Sequence, residues 1–159
     1  MISDAGPLIF ISKIGKLSLL RKLFKEIIVP VAVQQEVLVE GKPGYATFQE
    51  ALVQQWIKVQ SPKRIIELSL GSGENEAISL ARETKDTLLL DDAYAIKAAR
   101  IHEVETMRTT TVLFLAAHKK IITPEELIQS INALMDAGYY IRPSEYALLL
   151  FKIQALSKK

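Results

Sequence analysis

The sequence predicts an α/β protein with a parallel sheet that helices cover on both faces. Short apolar segments alternate with segments of helical spacing along almost the whole chain. Such alternation favours parallel strands joined by crossover helices. The run 27–29 is continuous and β-branched, as in a strand buried on both faces. With 159 residues, 49% of them hydrophobic, and no repeat or linker, we expect one domain over residues 1–159.

Five strands and nine helices follow from the apolar periodicity and from the turn residues between segments. The predicted strands span residues 2–4, 27–29, 56–59, 87–90 and 104–107. The predicted helices span residues 7–13, 16–25, 30–39, 48–55, 74–84, 93–100, 111–117, 124–137 and 144–156.

In the first half of the chain, glycine and proline mark most of these boundaries. Gly6 and Pro7 end the first strand, and proline is tolerated in the first turn of the helix that follows. Residues 16–25 place leucines at helical spacing opposite basic side chains, which predicts an amphipathic helix. Pro30 begins the next helix, and Gly41 follows its end.

The second half has equally clear boundaries. The Gly-Ser-Gly segment 71–73 interrupts the chain before a helix whose buried stripe consists mainly of small residues. Thr123, Pro124 and Glu126 have the spacing of a capping box with proline at the first helical position. Gly138 ends that helix.

Composition excludes several classes of protein. The net charge is +2, from 20 basic and 18 acidic residues, so only a local basic surface can attract nucleic acid. The absence of cysteine excludes disulfides, thiolate metal sites and a cysteine nucleophile, and it fits a reducing cytoplasm. Two histidines are too few for a typical zinc site. Because no segment resembles a membrane span or a signal peptide, we predict a cytoplasmic protein without membrane contact.

Acidic residues follow two of the predicted strands. Asp4 comes after the first strand, and Asp91 and Asp92 come directly after the fourth. The carboxyl ends of parallel strands converge on one crevice, so these side chains are expected to meet there. Glu36 and Glu74, from two predicted helices, are candidates to join them. Carboxylates from separate elements are the hard oxygen ligands that Mg²⁺ or Mn²⁺ prefers.

Each acid also has a purely structural interpretation. Asp4 can accept backbone N–H groups in the turn that follows it, and Glu36 can lie on a solvated helix face. Glu74 can stabilise the positive end of a helix, and Glu76 can take either role. One member of the acidic doublet after the fourth strand can cap the next helix, which leaves the other unexplained.

Four segments of the chain have a pattern known from one protein family. They are SDAGPLI at 3–9, IIVP at 27–30 with QEV at 35–37, GSGENEAISLA at 71–81, and LLLDD at 88–92. These segments resemble a PIN domain, and more narrowly the compact prokaryotic branch of unknown function that is related to VapC-type toxins. The resemblance covers nearly the whole chain, and its most specific piece is the Gly-x-Gly-Glu-x-x-Ala-Ile segment.

The resemblance implies a three-layer α/β/α sandwich with a central parallel sheet and a Mg²⁺- or Mn²⁺-dependent endoribonuclease site. It implies that Asp4, Glu74 and Asp91 are the core metal ligands. Glu36 matches the second acid of the family, and Asp92 lies beside the site, where it binds metal directly or through water. It also implies an RNA substrate, a small antitoxin-like protein partner and a homodimer.

The chain departs from this branch after its last predicted strand. Many relatives have a glycine- and threonine-rich segment there, whereas this chain has MRTTT at 107–111. Thr109 or Thr110 is expected to offer a hydroxyl at the crevice, and Arg108 is a candidate phosphate contact. Tyr139 and Tyr140, near a helix end, are interpreted as packing residues, with base stacking as the alternative.

Three classes of function follow. The preferred one is metal-dependent RNA hydrolysis, with the toxin of a toxin–antitoxin pair as one form of it. The second is a catalytically inactive PIN-like module that binds RNA or protein. The third is a phospho-acceptor receiver domain, which also gathers acids at the end of a parallel sheet. Receiver domains place the acid pair after the first strand, so the order of acids in this chain disfavours that class.

Overall fold

The computed structural model describes residues 1–157, with side chains through Ala155, and contains one sheet of five parallel strands. The strands are β1 (Ile2–Ser3), β2 (Ile27–Val29), β3 (Ile57–Val59), β4 (Leu88–Leu89) and β5 (Thr106–Met107). Their order is β3-β2-β1-β4-β5, and every neighbouring pair is parallel. The predicted fold class, a three-layer α/β/α sandwich, is confirmed. Residues 158–159 of the predicted 1–159 domain lie outside the described residues.

Nine helices flank the sheet within the described part of the chain. They are α1 (Ala5–Lys13), α2 (Ser18–Phe24), α3 (Val31–Val37), α4 (Tyr45–Val53), α5 (Ser72–Thr84), α6 (Ala93–Ile101), α7 (Thr109–His118), α8 (Pro124–Asp136) and α9 (Pro143–Ser157). None of these helices is long and apolar enough to cross a membrane.

The centre of the sheet is the centre of the hydrophobic core. Ile2 of β1 pairs with Ile28 of β2 on one side and with Leu88 of β4 on the other. Ile2, Leu88 and Leu89 are fully buried, as expected for short apolar strands covered on both faces. β1 and β4 are neighbours in this buried centre, and Asp4 directly follows β1 while Asp91 follows β4 after one residue.

Three helices begin two residues earlier than predicted, at Ala5, Ser72 and Thr109 rather than at 7, 74 and 111. The predictions were wrong for a common reason, which is that an acidic side chain satisfies a backbone N–H group at each of these helix starts. The predicted capping box of α8 is confirmed, with the hydroxyl of Thr123 and the carboxylate of Glu126 each accepting the other residue's backbone N–H.

Candidate functional site at the carboxyl ends of β1 and β4

β1 and β4 place two candidate acids at the same edge of the sheet. Asp4 directly follows β1, and its backbone N–H donates to the carbonyl of Leu89 at 3.0 Å. Asp91 follows β4 after the single residue Leu90, which remains bonded to β5 through the carbonyl of Met107. The predicted convergence of the two strand ends is therefore confirmed, and the crevice at this edge is the candidate site.

Asp4 is a buried acid, with 8% of its surface exposed. Its Oδ2 accepts the backbone N–H of Gly6 at 3.2 Å, so it caps α1. Burial raises the pKa of Asp4 to about 6, and the charges of Glu74 and Glu36 add to this increase, while hydrogen bonds from the Gly6 and Ala5 backbone oppose it. A buried carboxylate with two acidic neighbours is costly to ionise unless a cation is near.

Glu36 and Glu74 come from two helices that pack against each other, α3 and α5. Partial burial raises the pKa of Glu36, the charge of Glu74 raises it further, and a hydrogen bond from the Gly73 backbone opposes the shift. A Cβ atom at Gly73 would overlap Oε1 of Glu36, so glycine leaves the space that this carboxylate occupies. Asp4, Glu36 and Glu74 thus form one electrostatically coupled group, which we call the acidic triad.

Glu76, the alternative to Glu74, has a different position. Its Oε2 accepts the backbone N–H of Ala32 at 3.2 Å, at the start of α3. Glu74 instead accepts the backbone N–H of Gly71 at 3.1 Å and interacts with the other acids of the triad. Glu76 therefore lies at the start of α3, whereas Glu74 lies with Asp4 and Glu36, so Glu74 stays the candidate ligand.

Asp91 accepts three hydrogen bonds from two residues that are distant in sequence. Its Oδ1 accepts the backbone N–H of Thr109 at 2.9 Å and the hydroxyl of Tyr139 at 2.6 Å, and its Oδ2 accepts the Thr109 hydroxyl at 2.6 Å. Thr109 is thus the threonine that offers a hydroxyl at the crevice. Burial, and then the charge of Asp91, raise the pKa of Tyr139, which keeps its hydroxyl protonated as a donor.

Tyr139 is the residue that sequence reasoning missed. It does pack, with its ring edge-on to Phe10 at a centroid distance of 5.1 Å, but its hydroxyl also reaches the candidate site. Its position directly after Gly138 indicates packing, because a residue that follows a helix-ending glycine turns back toward its own helix. Nothing near it in the sequence indicates the contact with Asp91.

Asp92 plays the capping role that one member of the doublet was expected to take. Its Oδ1 accepts the backbone N–H groups of Tyr94 and Ala95 at 2.9 and 2.8 Å, and its side chain is exposed. The doublet is therefore divided, because Asp92 caps α6 while Asp91 contacts α7 and the segment after α8.

The donor chemistry of the site fits a divalent cation. Asp4, Glu36 and Glu74 supply hard oxygen donors. Burial, and then the charges of neighbouring acids, raise the pKa values of Asp4 and Glu36, and a bound cation relieves that cost of ionisation. Within residues 1–157, no three acidic or histidine side chains already have the arrangement of a metal site. In this structure Asp4 and Glu74 instead accept backbone N–H groups at the starts of α1 and α5.

The fold and the site together define an α/β/α protein with an acidic crevice at the ends of adjacent parallel strands. A family model described as a PIN domain matches residues 1–155, and the chain belongs to the PIN-domain family. PIN domains are typically nucleases and generally use divalent metal ions.

One solved structure with a similar fold is a PilT N-terminus domain protein from the hyperthermophilic archaeon Sulfolobus solfataricus P2. The two chains are 22% identical with a TM-score of 0.52, and the match covers 74% of this chain and 92% of the other. At this identity the similarity supports the fold alone. No curated protein matches the sequence.

Proposed function

We propose that this protein is a metal-dependent endoribonuclease that hydrolyses RNA phosphodiester bonds. The observation that carries the proposal is the acidic triad around the buried Asp4, beside the strand end that carries Asp91. Burying acids that repel one another destabilises a fold without a cation, and such perturbed carboxylates are typical of functional sites.

In this proposal Asp4, Glu74 and Asp91 are the core ligands of Mg²⁺ or Mn²⁺. Asp92 binds the metal ion directly or through water, and Glu36 assists metal binding from the last turn of α3. A bound ion of this kind supplies charge stabilisation at the phosphate and a water of lowered pKa. Hydrolysis then leaves a 3′-hydroxyl and a 5′-phosphate.

The RNA is proposed to approach from the side of α7 and α9. A cavity of about 180 Å³ next to Asp91 is lined by residues that include Arg108, Tyr139 and Tyr140. Arg108 forms a long, partly exposed ion pair with Glu145 at 3.9 Å, and such pairs contribute little. Its guanidinium can therefore exchange Glu145 for a phosphate. Tyr140 is 78% exposed and offers an aromatic face to an unpaired base.

The cellular setting is also part of the proposal. A cytoplasmic ribonuclease of this branch fits the toxin of a toxin–antitoxin pair, with a small antitoxin-like protein as its partner. The exposed side chains of Leu148 and Phe151 on α9 offer an apolar surface for a homodimer contact.

The test is cleavage of a mixed structured RNA pool with Mn²⁺ and with EDTA. We compare the wild type with the double variant Asp4→Asn and Asp91→Asn, and use Asp136→Asn, an exposed acid at the end of α8, as the matched control. We expect cleavage only with metal, lost in the double variant and retained in the control. Cleavage that persists in EDTA would contradict the metal-dependent mechanism.

An inactive PIN-like module that binds RNA or protein is the second candidate. The observation that favours it is that the acids already serve helix starts rather than a preformed metal site. RNA or protein binding by a folded wild type, without Mn²⁺ binding and without cleavage, would establish this module in place of the nuclease.

A further inference from the structure

We infer that Tyr139, together with Thr109, is a positioning residue that fixes the carboxylate of Asp91 and leaves one direction of its Oδ2 for a metal ion. The inference rests on the proposed function, because it concerns how Asp91 is presented as a ligand. The inference gives a role to the segment after α8, which contains none of the proposed metal ligands.

The hydrogen bonds of Asp91 define this geometry. A carboxylate has about four lone-pair sites, two on each oxygen. Oδ1 accepts two donors, the Thr109 N–H and the Tyr139 hydroxyl, and Oδ2 accepts one, the Thr109 hydroxyl. With the donors of the described residues counted, a single site remains, on Oδ2, and Asp91 would offer a metal ion that oxygen.

Tyr139 is itself held from two sides. α8 ends in a Schellman motif, in which the N–H of Gly138 donates to the carbonyl of Met135 at 3.0 Å and the N–H of Tyr139 donates to Leu134 at 2.9 Å. Gly138 has the positive φ of +93° that this motif requires. On the other side, the Tyr139 ring lies edge-on against Phe10 of α1, at an interplanar angle of 88°.

The packing of Tyr139 connects the two halves of the candidate site. Phe10 belongs to α1, the helix that Asp4 caps. Tyr139 packs its ring against Phe10 and donates its hydroxyl to Asp91. Tyr139 is 8% exposed, so water has little access to replace its hydroxyl at Asp91. Loss of a partner that orients a metal ligand typically lowers metal affinity by about 10–100-fold.

The test measures Mn²⁺ affinity by calorimetry for Tyr139→Phe, which removes only the hydroxyl and keeps the ring against Phe10. Tyr45→Phe is the matched control, because it removes a hydroxyl that accepts a hydrogen bond from Gln49 within α4 and has no part in the proposed site. We expect about 10–100-fold weaker Mn²⁺ binding for Tyr139→Phe and no change for the control. Thr109→Ser keeps the hydroxyl and should retain affinity, whereas the isosteric Thr109→Val should lose it.

A thermal melt in EDTA separates positioning from a merely structural role. If Tyr139→Phe lowers the melting temperature but binds Mn²⁺ as tightly as the wild type, the contact is structural and the inference is overturned. Tighter Mn²⁺ binding by Tyr139→Phe would also overturn it, since the hydroxyl would then compete with the metal.

These outcomes are distinct from failure of the proposed function. A wild type that binds Mn²⁺ and loses affinity in Tyr139→Phe, yet cleaves no RNA, supports the positioning role and counts against the nuclease. A wild type that cleaves RNA with an unchanged affinity in Tyr139→Phe counts against the positioning role alone. A folded wild type without Mn²⁺ binding overturns both.

Discussion

Gly73 offers a direct test of the acidic triad, because a methyl group there displaces one acid without removing it. The Cβ of Gly73→Ala would overlap Oε1 of Glu36 and would lie 3.1 Å from its Cδ. The end of a flexible side chain can move away more easily than the α5 backbone can. Glu36 must therefore leave its place beside Glu74 and give up its hydrogen bond to the Gly73 backbone.

The expected change in stability is small because two effects oppose each other. Alanine in place of a helical glycine stabilises by roughly 0.5–1 kcal/mol, since the unfolded chain loses less freedom on folding. The lost hydrogen bond at Glu36 costs about 0.5–1.5 kcal/mol. The free energy of unfolding should thus change by less than about 1 kcal/mol, whereas Mn²⁺ affinity should fall by about 10–100-fold as an assisting acid is displaced.

Urea denaturation in EDTA measures the first quantity, and Mn²⁺ titration calorimetry with RNA cleavage measures the second. Gly6→Ala is a matched control, because Gly6 is also the second residue of a helix beside a candidate acid, yet its Cβ would lie 3.5 Å from Oδ2 of Asp4, an ordinary contact. Gly6→Ala should gain stability and keep metal binding. Unchanged Mn²⁺ affinity in Gly73→Ala would refute the assignment of Glu36 to the site.

Three further predictions concern stability. Because the pKa of Asp4 is raised from 3.8 to about 6, the folded state binds this proton more tightly than the unfolded state, so stability in EDTA should fall as pH rises from about 4 through about 6. Asp4→Asn should remove this decline and be more stable than the wild type at high pH, by up to about 3 kcal/mol. Urea denaturation at both ends of the pH range measures this, and equal pH profiles of the two proteins would contradict the prediction. Gly138 has a positive φ of +93°, so Gly138→Ala should lower the free energy of unfolding by about 1–2 kcal/mol in the same assay. It should also weaken Mn²⁺ binding, because Tyr139 would move. Unaltered stability would argue against strain at this turn. Thr123→Ala removes the α8 cap and should cost about 1 kcal/mol while RNA cleavage is retained, so lost cleavage would place α8 closer to the site than the structure does.

The fold was predictable because its signals are local in the sequence. The strand at 27–29 is a continuous β-branched run, and the observed β2 has the same bounds. The capping box at Thr123 and the glycine at 138 are likewise defined within a few residues, and both mark the ends of α8 as predicted. Adjacent strand ends carrying acids could be anticipated because parallel sheets bring their carboxyl ends to one edge.

The details of the site were not predictable because they depend on partners far apart in the chain. Asp91 and Thr109 are 18 positions apart, and Asp91 and Tyr139 are 48 apart. Nothing in either segment alone indicates that the two will meet. The start of α7 was placed two residues late for the same reason, since its first N–H group finds its acceptor in Asp91 rather than in a neighbouring side chain.

The acids of this crevice serve the fold and the proposed metal site at once. Asp4, Glu74 and Asp91 each accept a backbone N–H group where a helix starts, at α1, α5 and α7. The positive end of a helix stabilises a nearby negative charge, which offsets part of the repulsion among the acids when no cation is bound. The protein can therefore fold before it binds an ion. A metal ion that uses the remaining lone pairs adds to this arrangement, whereas one that requires the caps to break must compete with three helix starts, and its net affinity falls accordingly.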